Sequence, residues 1–370
     1  MTDIPAVPRN EYRFPCENCG SDLRFSPGAT QLTCQHCGHV QKIGAARSGR
    51  EAALAENDYR AMLRRLAEGA DQVEAPVVLC PSCGAETDLH EAVQATRCPF
   101  CDTPVVTDTG THRYIKPRAL IPFRLSEAEA RAQMTAWLGR LWFAPNGLRA
   151  YARGGRAMNG VYVPYWTYDA DTRSRYSGRR GDHYYETQTV VRNGRREQIR
   201  VQKTRWRAAS GQVARDFDDV LVMASKSLPR SYTEELEPWD LAQLVPYQAQ
   251  YLAGFGAEGY QIPLDEGFGV AQERMRGVIE GDVRRDIGGD VQQITSLETQ
   301  YGNVTFKHVL LPIWVAAYKY GGRSYRFVVN GQTGEVDGER PYSKVKIAFA
   351  VLMAMVLMAL VLYFGEDMPR

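Results

Sequence analysis

The eight cysteines of this 370-residue chain fall into two sets: Cys16, Cys19, Cys34 and Cys37, then Cys80, Cys83, Cys98 and Cys101. Each set reads C-x2-C, fourteen intervening residues, C-x2-C. One C-x2-C turn brings two thiolates to an ion and a second completes a tetrahedron, so the pattern predicts two Zn2+ ions, one per set. Four disulfides or plain reduced thiols would not require two copies of one spacing. The flanks repeat as well, Cys19-Gly20-Ser21-Asp22-Leu23 against Cys83-Gly84-Ala85-Glu86-Thr87-Asp88-Leu89, as expected of a duplicated module. An all-thiolate set fills every coordination position and leaves none for a reacting water, so the metal is expected to be structural. It would supply the folding energy of two ribbons too small to hold a core alone. His36, His39 and His90 lie near these ligands, but the thiolates already suffice.

Other chemistry is hard to find. Gly254-Phe255-Gly256-Ala257-Glu258-Gly259 spells G-x-G-x-x-G, yet a dinucleotide site needs a strand before it and a helix after it. A helix is expected before this stretch and Tyr260-Gln261-Ile262-Pro263 follows, so it reads as a loop. The phosphate loop G-x4-G-K-[ST], H-E-x-x-H and G-x-S-x-G are absent, and no cysteine is left over as a nucleophile. Asn303-Val304-Thr305 matches a glycosylation acceptor by chance on the cytoplasmic side. Tyrosines, Asp218, Asp219 and His183 remain as candidates for catalysis, but no spacing singles any of them out. The expectation is a protein that is not an enzyme.

Charge is unevenly spread. Residues 1–110 hold 10 Lys and Arg against 15 Asp and Glu, residues 145–215 hold 15 against 5, and residues 216–343 hold 11 against 19. The basic island contains Arg173, Arg175, Arg179, Arg180, Arg192, Arg195, Arg196, Arg200, Lys203, Arg205 and Arg207, interleaved with Tyr176, Tyr184, Tyr185 and Trp206. Arginines with aromatics suit phosphate contact and base stacking, and the same charge beside a bilayer attracts anionic lipid headgroups. A solvated hairpin whose arginines pair with the acidic flanks is the plainer alternative. The ribbons are net acidic, which counts against them as the main grip on nucleic acid.

Several elements must position these groups. Residues 1–43 form the first ribbon, 44–77 a helical spacer, and 78–106 the second ribbon. In the spacer, Leu54, Tyr59, Met62, Leu63 and Leu66 recur at helical spacing. Residues 107–343 form a linker and a mixed α+β domain. Ser126-Glu127-Ala128-Glu129 begins a helix with a capping box, its bulky face Met134, Trp137, Leu138, Leu141 and Trp142 directed into a core. Strands are expected over 161–168, 184–192, 195–206 and 219–224, with a hairpin turn at Asn193-Gly194. Helices are expected over Trp239–Leu252, broken at Pro246, and Phe268–Asp286. A meander over 304–318, 324–329 and 334–336 closes the domain. Val163-Pro164-Tyr165-Trp166 is echoed by Leu311-Pro312-Ile313-Trp314.

Residues 344–370 are expected to hold a membrane anchor. Ile347 to Phe364 is an apolar run without a charge, about 27 Å as a helix against a hydrocarbon core of about 30 Å. Arg340, Lys344 and Lys346 precede it, which by the positive-inside rule keeps the N-terminal bulk in the cytoplasm. Met1-Thr2-Asp3-Ile4-Pro5 lacks the basic start and apolar run of a signal peptide, and thiolate ligands fit a reducing compartment. The reading is a tail-anchored, single-pass protein of the inner membrane.

Together, Phe14-Pro15-Cys16-Glu17-Asn18-Cys19-Gly20, the second ribbon, the two Pro-aromatic runs, Asn330-Gly331-Gln332-Thr333-Gly334-Glu335-Val336 and the apolar terminus resemble a family of bacterial membrane-anchored zinc-ribbon proteins. Its ribbons are of the transcription-factor-IIB type, and members are often labelled primosomal protein N-prime or replication factor Y helicase. The resemblance spans nearly the whole chain and implies the eight cysteines as metal ligands. It assigns no catalytic residue, and the chain lacks a helicase's phosphate loop and motor-domain length. The expected function is a scaffold binding protein partners of a membrane complex. The alternative is a membrane-tethered nucleic-acid-binding accessory.

Overall fold

The computed structural model of the chain describes residues 14–44, 51, 54–69, 73–80, 85–88, 95–98, 100, 104–106, 109–143, 145, 158–192, 195–320, 323–339 and 342–365. Cys83, Cys101, His90, Arg340 and the turns at Asn193-Gly194 and Gly321-Gly322 lie outside these residues, as do the side chains of Arg192 and Arg195.

The fold mixes helix and sheet. Near the N-terminus, β1 (Leu23–Phe25), β2 (Gln31–Cys34) and β3 (Val40–Lys42) form a small antiparallel sheet. The short β4 (Asn57–Asp58) leads into α1 (Tyr59–Ala67), whose N-terminus is capped by Asp58. Met62 is buried, and Tyr59, Leu63 and Leu66 pack against the same apolar cluster, so the stripe read in the sequence is a packing face. Next come β5 (Val73–Leu79), β6 (Glu86–Asp88), β7 (Ala95–Arg97), β8 (Pro104–Val106) and β9 (Thr109–Tyr114). Strand β5 pairs with β6 and β9, and β7 pairs with β8.

The body is organised on two very long strands, β11 (Asn159–Arg192) and β12 (Arg195–Met223), and a third, β15 (Val291–Tyr320). Strand β11 lies between the other two, antiparallel to both. The free side of β15 is shared end to end by β4 at Thr305–Phe306, β10 (Ala119–Leu120) at Val309–Leu310 and β16 (Arg323–Asn330) at Ile313–Tyr320. Strand β13 (Val245–Pro246) extends β10, β14 (Gly256–Ala257) pairs with β11 at Val161–Tyr162, and β17 (Val336–Gly338) closes against β16.

Four helices follow from patterning and caps. Helix α2 (Glu127–Arg140) begins at the capping box, where Ser126 and Glu129 exchange side-chain and backbone hydrogen bonds. Its Met134 and Leu138 are buried, but Trp142, assigned to that face from the sequence, is 76% exposed just beyond the helix. The helix stops at Arg140, so Trp142 leaves the helical register. Helix α3 (Arg230–Glu235) is short. Helix α4 (Leu264–Ile287) buries Leu264, Phe268, Ala271, Met275, Ile279, Val283 and Ile287, a three-and-four stripe laid on the long strands. Helix α5 (Lys344–Gly365) is capped by Ser343, whose Oγ accepts from the Lys346 N–H.

The helix expected over Trp239–Leu252 is instead two 3-10 turns, Leu241–Gln243 and Ala249–Leu252, around β13. Pro246 has no N–H to continue a helix, and its segment pairs with Ala119 as a sheet edge.

Candidate metal centre and charged arm

Cys16–Cys19 and Cys34–Cys37 sit on two turns of one design. The Gly20 N–H donates to the Cys16 carbonyl at 2.8 Å, and the Gly38 N–H to the Cys34 carbonyl at 2.9 Å. Both glycines have φ of 73°, which lets the chain reverse after the second cysteine. The Cys16 N–H donates to the Ser21 carbonyl at 2.7 Å and the Cys34 N–H to the His39 carbonyl at 2.8 Å.

These turns bring the four sulfurs within 4.8 Å of one another. Cys16 and Cys37 sulfurs are 3.6 Å apart, and Cys19 and Cys34 sulfurs 3.5 Å apart. A disulfide is near 2.05 Å, whereas zinc at about 2.3 Å from each sulfur makes tetrahedral edges of roughly 3.8 Å. The donor set therefore fits a zinc ion. Cys16 and Cys34 are buried while Cys19 and Cys37 face solvent. The backbone N–H of His39 lowers the Cys37 thiol to about 6, and that of Ser21 lowers Cys19. Burial pushes Cys16 up to about 11, a cost that a bound cation would offset.

In the second set, Cys80 and Cys98 are buried beside Ala85 and Phe100. The Cys80 N–H donates to the Ala85 carbonyl at 2.8 Å, the same bond that Cys16 makes to Ser21. The partner ligands expected there, Cys83 and Cys101, lie outside the described residues.

The first cysteine module is packed into the body. Phe25 meets Tyr251 edge-on at 5.3 Å between ring centroids and Phe255 at 6.3 Å. The Phe25 N–H donates to the Ala253 carbonyl at 2.9 Å, and the Gly28 N–H to the Phe123 carbonyl at 3.0 Å. The G-x-G-x-x-G stretch at Gly254–Gly259 thus carries part of the seat of this module, and Gly256–Ala257 is a short strand with no helix directly after it.

The pairing register resolves the basic island. Strand β15 begins at Val291, opposite Gly181, so that among the described residues β11 and β12 continue without a third strand for eleven pairs from Asp182–Arg205 to Arg192–Arg195. At about 3.3 Å per residue this two-stranded arm is roughly 36 Å long. On the face shared with α4, Arg180 pairs with Asp182 at 2.9 Å and Lys203 pairs with Glu186, while Arg205 stacks on Tyr184. Arg207, Arg192, Arg195 and Glu197 are at register positions of this same face. Tyr176 also faces α4, is buried, and donates its hydroxyl to Asp286, so it belongs to packing.

The opposite face differs. Arg173, Arg175, Arg179, Arg196 and Arg200 are exposed there, with Arg179 over Trp206 at 5.4 Å and Arg200 over Tyr185 at 5.0 Å. All three acids between Arg173 and Arg207 fall on the α4 face, and on the far one Glu298 stands opposite Arg175. Strand alternation has gathered all three acids on the α4 face, where they offset part of its charge, and has left the other face with arginines and aromatic rings.

A further cluster was not legible as a unit. Glu56, Asp169, Asp218 and Asp219 offer carboxylate oxygens within 4.8 Å of one another, beside Lys307. Lys307 Nζ lies 2.9 Å from both Glu56 and Asp219, so an ammonium already sits among these carboxylates. Asp169 is raised to about 7 by burial and by its hydrogen bond with Glu56, which is lowered to about 2. Of the catalytic candidates, Asp219 thus pairs with Lys307, and Asp218 lies in the same carboxylate cluster. His183 is held on the arm, its Nδ1 3.0 Å from the Thr204 hydroxyl.

At the C-terminal end, the window Lys344–Val361 has a mean hydropathy of 2.3 and none of it is buried against the body. The helix is long and apolar enough to cross a membrane.

A mixed sheet body with a four-thiolate centre and an apolar C-terminal helix is therefore the class of molecule defined by the fold. Across 338 aligned residues, 90% of this chain and 92% of the other, it is 27% identical to the uncharacterized protein YdjG of Bacillus subtilis (strain 168). No family model and no solved structure matches the chain.

Proposed function

We infer that this chain is a non-enzymatic scaffold anchored by α5 in the inner membrane, its bulk in the cytoplasm. Two structural zinc ribbons stiffen the sheet body, and the arm presents a surface to protein partners of a membrane-associated complex. The observation that carries this reading is the arm itself. Eleven residue pairs have no third strand beside them among the described residues and keep Tyr185, Val191 and Ile199 exposed. Unsupported ribbons of this length are marginal in isolation, so a binding partner gives the exposed side chains a role. Lys344 and Lys346 in the first turn of α5, ahead of its uncharged run, and the four-thiolate cluster support the orientation.

Affinity purification of the full-length chain after mild detergent extraction, beside the Arg196→Glu/Arg200→Glu variant, tests the reading. Proteins recovered with the parent and lost from the variant are expected. A solitary monomer in both preparations would sink it.

One observation favours a second reading, a membrane-tethered nucleic-acid-binding accessory. The face averted from α4 sets guanidiniums and aromatic rings in a line with little acid, as single-stranded nucleic acid requires. Anionic lipid is the competing ligand for this charge. Strand β11 starts opposite Val315 of β15, whose other side carries β16, and ends at the arm tip, roughly 110 Å away along its contour, a reach suited to partners off the bilayer. Oligonucleotide titrations against salt, with the chain in discs of neutral lipid, separate these cases. Absence of binding at low salt removes the nucleic-acid reading.

A further inference from the structure

We propose that Trp142, Phe143 and Tyr342 form an aromatic collar that seats in the headgroup region of the bilayer and fixes how the body stands on the membrane. The proposal rests on α5 being a membrane span.

The collar is built from two chain segments far apart in sequence. The Ser343 N–H donates to the Phe143 carbonyl at 2.8 Å, and the Lys346 ammonium donates to the Trp142 carbonyl at 3.0 Å. These two bonds join the turn after α2 to the first turn of α5. Helix α2 is itself held to the sheet, with Trp137 edge-on to Phe327 at 5.7 Å. The base of α5 is therefore clamped to the body.

Around that clamp the exposed side chains are aromatic. Trp142 is 76% exposed, Tyr342 64% and Phe143 41%. In water these rings have nothing to cover them, but they are continuous with the uncovered apolar surface of α5, which begins at Val345. Tryptophan and tyrosine concentrate where a spanning helix leaves the hydrocarbon, because an amphipathic ring satisfies both phases there. Lys344 and Lys346 bring positive charge to the same level, which suits anionic headgroups. One surface thus supplies rings, cations and the start of the span, and the bilayer interface is the occupant that matches all three.

The test uses the full-length chain reconstituted in vesicles of phosphatidylcholine and phosphatidylglycerol, with the phosphatidylcholine brominated high on its acyl chains. Trp142→Phe is expected to lose the larger part of the bromolipid quenching of tryptophan fluorescence. Trp206→Phe, on the arm, is expected to leave it unchanged. Equal quenching in the parent and Trp142→Phe, with both resistant to carbonate extraction, overturns the collar and leaves the span standing. Release of the parent by carbonate overturns the span and the collar with it. Circular dichroism of the exposed-site variant Trp142→Phe is expected to match the parent, so that a loss of quenching reports the ring and not unfolding.

Discussion

Phe25 of the cysteine-bearing sheet stands edge-on to Tyr251 of the body at 5.3 Å, two residues from the loop whose Ala253 carbonyl accepts the Phe25 N–H. Cys34, a candidate ligand by spacing, is brought within 4.8 Å of the other three sulfurs by its place on β2, directly opposite Leu23 of β1. The four-thiolate cluster and the body are thus joined through one small sheet. Removing zinc with a strong chelator is expected to raise hydrogen exchange both at Leu23–Cys34 and at Tyr251–Ala257. Exchange confined to the cysteine module would break the link. Phe25→Ala is expected to cost about 3–5 kcal/mol in denaturant unfolding with the metal retained.

Metal content follows from the repeated turn. The full chain is expected to carry two zinc ions, with Cys34→Ser and Cys98→Ser each removing one, as read by elemental analysis after anaerobic purification. A single ion lost only in Cys34→Ser would leave the second set as reduced thiols.

Much of the frame was legible in the sequence, and the reasons are local. The capping box fixed the start of α2, and the apolar stripe fixed α4 to within one turn. The Pro164 and Pro312 echo has a physical basis in register. The carbonyl of Pro164 accepts from Ala224 just past the end of β12, and that of Pro312 from Gly331 just past the end of β16. Each missing N–H points where the neighbouring strand has stopped, so two prolines are tolerated in central strands. Long-range pairing was not legible. Residues 291–303 show only weak alternation and become strand by pairing with β11. The sorting of the arm's charges likewise depends on which residue faces which across the hairpin, a matter of register.

The proton on Asp169 gives a pH dependence with a definite sign. Its carboxyl is raised to about 7 from the ordinary 3.8, so the folded chain holds a proton that the unfolded chain has released. The stabilisation is complete below the unfolded value and is lost as pH rises through 7. Glu56 is lowered to about 2 and titrates below that window. With zinc saturating, melting temperature is expected to fall between pH 6 and pH 8 in the parent and to change less in Asp169→Asn. Identical pH profiles would show that Asp169 is ionised throughout.

Asn330 is fully buried and holds the turn between β16 and β17. Its Nδ2 donates to the Leu236 carbonyl at 2.9 Å, and its Oδ1 accepts from the N–H groups of Gln332 at 2.8 Å and Thr333 at 3.0 Å. Asn330→Ala would strand these buried groups and is expected to cost about 2 kcal/mol or more. Asn330→Asp keeps the acceptor and loses the donor, so a smaller loss would assign the role to the two N–H groups. Unchanged stability in both would place the turn's strength elsewhere.

Charge on the arm provides the last discrimination. If the face averted from α4 neutralises phosphates, log affinity for an oligonucleotide falls linearly with log salt. Arg196→Ala/Arg200→Ala is expected to lower that slope by about 2, one unit per phosphate contact. Arg180 is paired with Asp182 and Lys203 with Glu186 on the opposite face, so Arg180→Ala/Lys203→Ala should leave the slope nearly unchanged. Exposed pairs of this kind contribute little stability, so neither variant should unfold the arm. Equal loss from both faces would mean that net charge alone attracts the ligand. A slope that vanishes only for the averted face would assign the grip to guanidiniums that strand alternation left without acids.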